Sequence, residues 1–283
     1  LPSAKTIETP YPLRCPLGSF HRGTKDYYLD NLRKVIQHYG AENIAALLME
    51  PVNGSSGGAI YPPEGYWVEA QKILIENDIL LIADEVMTGF GRTGFKFSCE
   101  DYEIKPDIMI AGKGMSSGYA AISGTYSTDK IANSIMDAGY LVMFHTFAAL
   151  PLSCAAASTV LEIMRREKLC EKVAPLGERL KQKLTDTLDH HPLVAEIRGK
   201  GLLIGIEIVK DKEKLISFDE QERITDQIIS KGLEEGVLFY PGGTGEYRDI
   251  ICLGPPYIIG DEEIDLMVGT LEKALNHIQV KYS

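Results

Sequence analysis

Nothing in the 283 residues pairs cysteines at CxxC spacing, sets histidines at metal-ligand spacing, or stays apolar for long enough to span a bilayer. The five cysteines, Cys15, Cys99, Cys154, Cys170 and Cys252, are odd in number and scattered. That speaks against a disulfide framework or a zinc site and for reduced thiols, so a cytoplasmic setting is expected. Basic residues are the minority. The 29 Lys and Arg against 40 Asp and Glu leave a net charge of −11, and neither nucleic acid nor an anionic membrane is an expected partner. No signal-peptide pattern opens the sequence, and internal repeats and low-complexity linkers do not occur. His190 and His191, adjacent before Pro192, read as a solvated helix end. What is present is ordinary for a globular protein: 45% hydrophobic and 24% charged residues, ample for a core.

Residues 1–25 are punctuated by Pro2, Pro10, Pro12 and Pro16 and carry no capped element, an odd opening for a domain. A helix is predicted over 26–40, with Leu32, Val35, Ile36 and Tyr39 on one face and Gly40 as its stop. An apolar strand over 45–52 follows, then a glycine-rich turn, a helix over 66–77 and a second strand ending at Asp84. Strand, crossover helix and strand make a right-handed parallel βαβ unit. Third and fourth strands are predicted over 107–112 and 121–127. Beyond residue 150 long helices (153–169, 173–190, 219–235, 261–280) alternate with strands at 202–209, 237–240 and 250–253. The expected division is therefore 1–150 and 151–283, an α/β domain followed by a connecting helix and a smaller α+β domain.

The stretch from Asp78 to Ser117 is where chemistry concentrates. Two short apolar runs each end in charge, Asp84 with Glu85 in one and Lys113 in the other. Such runs suit strands buried on both faces of a parallel sheet, where ligands bind beyond the carboxyl ends of the strands. A lysine buried there loses hydration, which favours its neutral, nucleophilic amine and suits it to imine formation with an aldehyde. A nearby aspartate stays ionised if a protonated pyridine nitrogen is its partner. The same residues also fit a plain structural Asp–Lys ion pair or solvated strand ends.

Two shorter motifs compete. Gly54, Ser56 and Gly58 match the GxSxG hydrolase pattern, with Asp84 and His145 following in the order of an α/β-hydrolase triad. Ser56 as an acyl-hydrolase nucleophile is the alternative function, although residues 59–63 (Ala-Ile-Tyr-Pro-Pro) follow the glycines where a helix is required. A phosphate-binding loop at Gly112-Lys113 fails, because residue 114 is Gly and residue 107 is Asp.

Four blocks together carry a resemblance: Glu50 to Gly54, Asp84 to Gly94, Pro106 to Gly114, and His145 to Phe147. In this order and over the whole chain they resemble the class III (ω-type) aminotransferases, pyridoxal 5'-phosphate enzymes of the aspartate aminotransferase fold (fold type I). The resemblance implies that Lys113 carries the cofactor covalently and shuttles the substrate proton, and that Asp84 holds the pyridine nitrogen protonated. It further implies that Val86 packs on the ring and that Glu50 lies near cofactor and substrate. Thr146 would reach the cofactor phosphate of a second subunit, so an obligate homodimer with shared sites is expected. The implied reaction moves an amino group from an ω-amino acid or amine to a keto acid such as pyruvate.

Three departures qualify this. The family's chain begins well before this one, so a fragment with an incomplete large domain and an incomplete cofactor cradle is expected, which leaves a catalytically disabled chain as an alternative. The block at His145–Pro151 lacks the Gly and His or Asn that usually precede its proline. Where relatives place an arginine for a substrate carboxylate, this sequence has Tyr240 and Cys252. Arg248, in the glycine-rich loop 242–249, is the substitute candidate, against a plain solvated loop arginine. Arg198 reads as a brace of the smaller domain.

Overall fold

Four short strands build the first sheet in the computed structural model, which describes residues 4–140 and 145–282, apart from the side chain of Glu246. Pro2 of the irregular opening lies outside the described residues. The chain falls into two units. The first comprises residues 1–51, 61–90 and 95–167, and the second residues 52–60, 91–94 and 168–283.

In the first unit, helix α1 (Thr24–Tyr39) leads to strand β1 (Ala46–Met49), helix α2 (Tyr66–Glu76) and strand β2 (Leu80–Asp84). The short helix α3 (Ser98–Asp101), strand β3 (Ile108–Ala111), strand β4 (Gly124–Ser127), and helices α4 (Asp129–Asp137) and α5 (Pro151–Arg166) complete it. The sheet order is β1-β2-β3-β4, parallel except for β4, which runs antiparallel to β3. Asp107 sets the β2–β3 register from its side chain, Oδ2 accepting the Leu81 N–H at 2.9 Å.

Helices α1 and α2 cover one face of this sheet. Tyr28, Leu29, Leu32 and Ile36 of α1 meet Trp67, Ala70, Ile73 and Leu74 of α2 over Leu81 and Ala83. The buried stripe of α1 is thus centred on 28, 29, 32 and 36, and Tyr39, expected inside, is exposed against His38. Burial on both faces was the expectation for the strands; along β2 burial alternates, with Leu81 and Ala83 buried and Leu80, Ile82 and Asp84 half-buried. Leu48 of β1 is 59% exposed. The cause is that α1 and α2 both lie on one face, so residues of the other parity keep their solvent contact. Helix α5, opened by Pro151 at its first position, joins this unit by packing Ala157 on Phe90, Ala111 and Met115.

The second unit is a four-stranded antiparallel sheet in the order β5-β6-β8-β7, with β5 (Val194–Lys200), β6 (Leu203–Ile208), β7 (Tyr240–Gly242) and β8 (Ile250–Leu253). Helices α6 (Leu169–Leu188), α7 (Ile224–Glu234) and α8 (Asp261–Tyr282) bury Leu180, Leu184, Ile228, Leu271 and Leu275 against Ile204, Ile206 and Ile208. Strand β5 was not anticipated, because Glu196 and Arg198 interrupt its apolar pattern. The pairing of β5 with β6 brings them together with Glu207. Arg198 is 2% exposed, and its guanidinium pairs with Glu207 (2.7 Å) and Glu196 (2.9 Å) while donating to the carbonyls of Gly57 and Gly58. Gly205 lies under that same loop; a Cβ there would sit 2.0 Å from the Gly58 carbonyl oxygen. His191, expected in solvent, is buried, and burial lowers its pKa from the usual histidine value, whereas His190 is exposed.

One buried carboxylate in this unit makes a pH-dependent prediction. Asp249 is 7% exposed, its Oδ2 has no partner among the described residues, and burial pushes its pKa up to about 6. Because the folded value lies above the unfolded one, the native state binds this proton more tightly than the unfolded chain. Stability is therefore lost as pH rises through about 4 to 6 and is not regained above. Asp249→Asn is expected to stabilise the protein at neutral pH by about 1–3 kcal/mol, with the gain vanishing below about pH 4. Urea unfolding across that range checks it; a variant equally or less stable at neutral pH refutes it.

Candidate active site

The first unit brings three strand ends together. Met49 pairs with Ala83 and Asp84 with Ile110, so Glu50, Asp84 and the Gly112-Lys113 turn leave adjacent strands on the same edge of the sheet. The turn after β2 is locked first. Glu85 donates its N–H to the Ile110 carbonyl (2.8 Å), and Gly89 closes back on the Glu85 carbonyl (2.8 Å). The Glu85 side chain is fully buried and accepts from the Cys99 N–H (2.7 Å) and the Thr88 hydroxyl. Burial, with Glu85 beside it, raises the Cys99 thiol pKa strongly.

Successive strand residues face opposite ways, so with Glu85 anchored inward Asp84 is turned to the half-buried side. Its Oδ1 accepts the Val86 N–H at 2.9 Å, which orients the carboxylate. Val86 lies over Gly112, where a Cβ would be 3.9 Å from Val86 Cγ2.

Lys113 follows β3 at φ +38°, a left-handed conformation costly for a residue with a side chain. It opens the 3₁₀ turn Lys113–Met115, in which the Gly114 position is crowded by Phe90, 3.1 Å from where a Cβ would stand. Lys113 is exposed, contrary to the expectation of a buried amine. Its Nζ lies 2.9 Å from Met87 Sδ. No ion pair joins Lys113 to Asp84 or to any other described carboxylate, which removes the structural ion-pair reading.

The remaining candidates are placed as follows. Glu50 is half-buried just after β1 and has further partners of its own. Thr146 is exposed in a turn beside His145. Arg248, in the second unit, is no solvated arginine; its guanidinium donates to the carbonyls of Gly245 (2.9 Å) and Phe218 (3.3 Å). Arg92 of the Asp84–Gly94 block is a brace of the second unit. It donates to the carbonyls of Leu202 (3.1 Å) and Pro255 (2.7 Å) and stacks over Tyr257 at 4.8 Å.

Ser56 is exposed in the turn 55–58 with its hydroxyl 3.3 Å from Asn53 Oδ1, and the next helix begins only at Tyr66. A nucleophile elbow needs strand, sharp turn and helix without interruption, so the hydrolase alternative fails. Sequence reasoning missed Glu85 as an anchor and Met87 as the neighbour of Lys113. The signal for the first was present, since two adjacent acids in a strand must face opposite sides.

A mostly parallel α/β sheet unit and a separate antiparallel α+β unit are the architecture of the fold type I pyridoxal-phosphate transaminases that this chain resembles in structure. The model of the family described as Aminotransferase class-III matches residues 2–275, and the chain belongs to that family. It is 38% identical over 261 residues to an uncharacterized aminotransferase of Schizosaccharomyces pombe, covering 89% of this chain and 57% of that protein. It is 35% identical over 252 residues to the putrescine–pyruvate aminotransferase of Pseudomonas aeruginosa, covering 87% of this chain and 53% of that one. Among solved structures, an amine transaminase from an uncultivated Pseudomonas species in its PLP-bound form superposes with a TM-score of 0.89 at 33% identity, covering 96% of this chain and 61% of the other. The chain thus spans little more than half the length of the curated relatives it matches. No described helix is long and apolar enough to cross a membrane.

Proposed function

We propose that the full-length protein is a pyridoxal-phosphate-dependent transaminase that moves an amino group from an ω-amino acid or amine to a keto acid such as pyruvate. The observation that carries this is the unpaired state of Asp84 and Lys113. They leave adjacent parallel strands on one edge, and neither is neutralised by the other or by a third described group. An acid and an amine kept apart in this way fit the two ends of a substituted pyridine carrying an aldehyde. When bound, such a cofactor supplies an electron sink for the negative charge left at the substrate carbon.

The chain's own groups do the rest. Lys113 Nζ would hold the cofactor at its aldehyde carbon and would serve as the base that takes and returns the proton at the donor carbon. Asp84, oriented by the Val86 N–H, would face the ring nitrogen and favour its protonated form. Val86 supplies an apolar surface for the ring, and Glu50 adds a carboxylate at the neighbouring strand end. Thr146 is assigned to the cofactor phosphate of a second subunit, which makes the enzyme a homodimer with shared sites, and the cytoplasm is its proposed setting. Arg248 is assigned to bracing its own loop in preference to binding a substrate carboxylate. Residues 1–150 are proposed as the later part of the cofactor domain and 151–283 as the connecting helix and small domain.

The test is reductive trapping. Pyridoxal phosphate is added, borohydride reduces any imine, and peptide mapping locates the pyridoxyl group. Label at Lys113 is expected; label spread over surface lysines, with Lys113 no richer than the others, removes the assignment. A second reading is a chain that keeps these residues without the activity, and the solvent exposure of Lys113 favours it. A full-length protein that traps cofactor at Lys113 yet transfers no amino group from a panel of donors to pyruvate would establish that reading instead.

A further inference from the structure

We propose that Met87 is an oxidation-sensitive site at which a hydroperoxide silences the amine of Lys113. Met87 Sδ stands 2.9 Å from Lys113 Nζ, and among the described residues it is the neighbour within hydrogen-bonding reach of that amine. A thioether is a weak acceptor, so in the reduced protein the amine is held in place without being tied up. The sulfur is also fixed. Glu85 and Thr88 on either side are fully buried and bonded to each other, and the turn closes through the Gly89 N–H, so the Met87 side chain is carried on a rigid support.

Access differs sharply among the methionines. Met49 and Met115 are 8% and 5% exposed, Met87 is half-buried like Met109, Met164 and Met267, and Met136 is 55% exposed; of these, Met87 is the one in contact with the Lys113 amine. A small peroxide that reaches the amine also reaches the sulfur. In the reaction a sulfur lone pair attacks the outer peroxide oxygen and the S–O bond forms as the O–O bond breaks. The sulfur is oxidised by two electrons to the sulfoxide, the peroxide is reduced, and the leaving oxygen departs as alcohol or water after taking up a proton.

The product differs from the reactant where it matters. A sulfoxide oxygen is a strong acceptor, and one S–O bond length from the present sulfur position it faces the Lys113 ammonium. The weak N–H···S contact becomes a charge-assisted N–H···O bond, which holds the ammonium and withdraws the amine from reaction. The functional consequence rests on Lys113 being the cofactor lysine; the modification and its effect on the amine do not.

The experiment uses the 283-residue chain treated with hydrogen peroxide, with peptide mapping of each methionine and acylation of lysines by an N-hydroxysuccinimide ester. Met87 is expected to gain one oxygen before Met49 or Met115. Acylation of Lys113 should then slow on the order of tenfold, as one added charge-assisted bond provides, while the exposed Lys130 is unaffected. Methionine sulfoxide reductase should restore the rate, and in Met87→Leu peroxide should leave Lys113 acylation unchanged. Met87 oxidised no faster than the buried methionines, or Lys113 acylation unaffected by its oxidation, overturns the proposal. Failure of reductive trapping at Lys113 in untreated protein would count against the transaminase reading instead.

Discussion

Lys113→Ala is expected to lose the pyridoxyl label and, in the full-length protein, to lower amino transfer by on the order of 10⁴-fold, since one group serves both as nucleophile and as proton shuttle. The fold should be unaffected. Lys113 is exposed, its amine touches Met87 Sδ, and alanine inherits the same left-handed backbone without adding strain. Lys113→Arg is the informative companion. It keeps length and charge but cannot form an imine, so it should fail as completely as alanine. Circular dichroism and thermal unfolding check the fold, and trapping with peptide mapping checks the chemistry. Arginine retaining a substantial part of the rate would mean that residue 113 acts through its charge and that the covalent role is wrong.

Asp84→Asn separates orientation from charge. The amide oxygen still accepts the Val86 N–H that fixes the side chain at 2.9 Å, so the turn after β2 should persist. What disappears is the negative charge that would keep a ring nitrogen protonated. The turnover of the full-length protein should fall by roughly 10²–10³-fold, the typical cost of removing one preorganised electrostatic contact. Trapping of the cofactor at Lys113 should survive. Proton removal should become rate-limiting, so a donor deuterated at the reacting carbon should show a larger kinetic isotope effect than with the parent protein. A turnover within about threefold of the parent, against that expectation, would return Asp84 to a structural role.

Much of this site is local in origin. Four short apolar runs and their terminal residues were legible because strand length, turn residues and the charge at each end are properties of a few neighbouring positions. The predicted ends at 52, 84, 112 and 127 differ from the observed Met49, Asp84, Ala111 and Ser127 by no more than a turn. Strand β5 was hidden for the opposite reason. Glu196 and Arg198 look like solvent residues until Glu207 and the Gly57 and Gly58 carbonyls are brought to them from distant sequence. His191 was misread likewise, since the chain past α6 folds it inward.

By itself the sequence determined which residues terminate the strands, and so which acid and which amine leave the sheet together. Strand periodicity also dictates that Asp84 and Glu85 face apart. Only the tertiary structure decided which of the two is buried, because that depends on α1 and α2 covering the same face. The exposure of Lys113 and its contact with Met87 were decided there too, since solvent access is set by the helices packed around a residue and not by its neighbours in the chain.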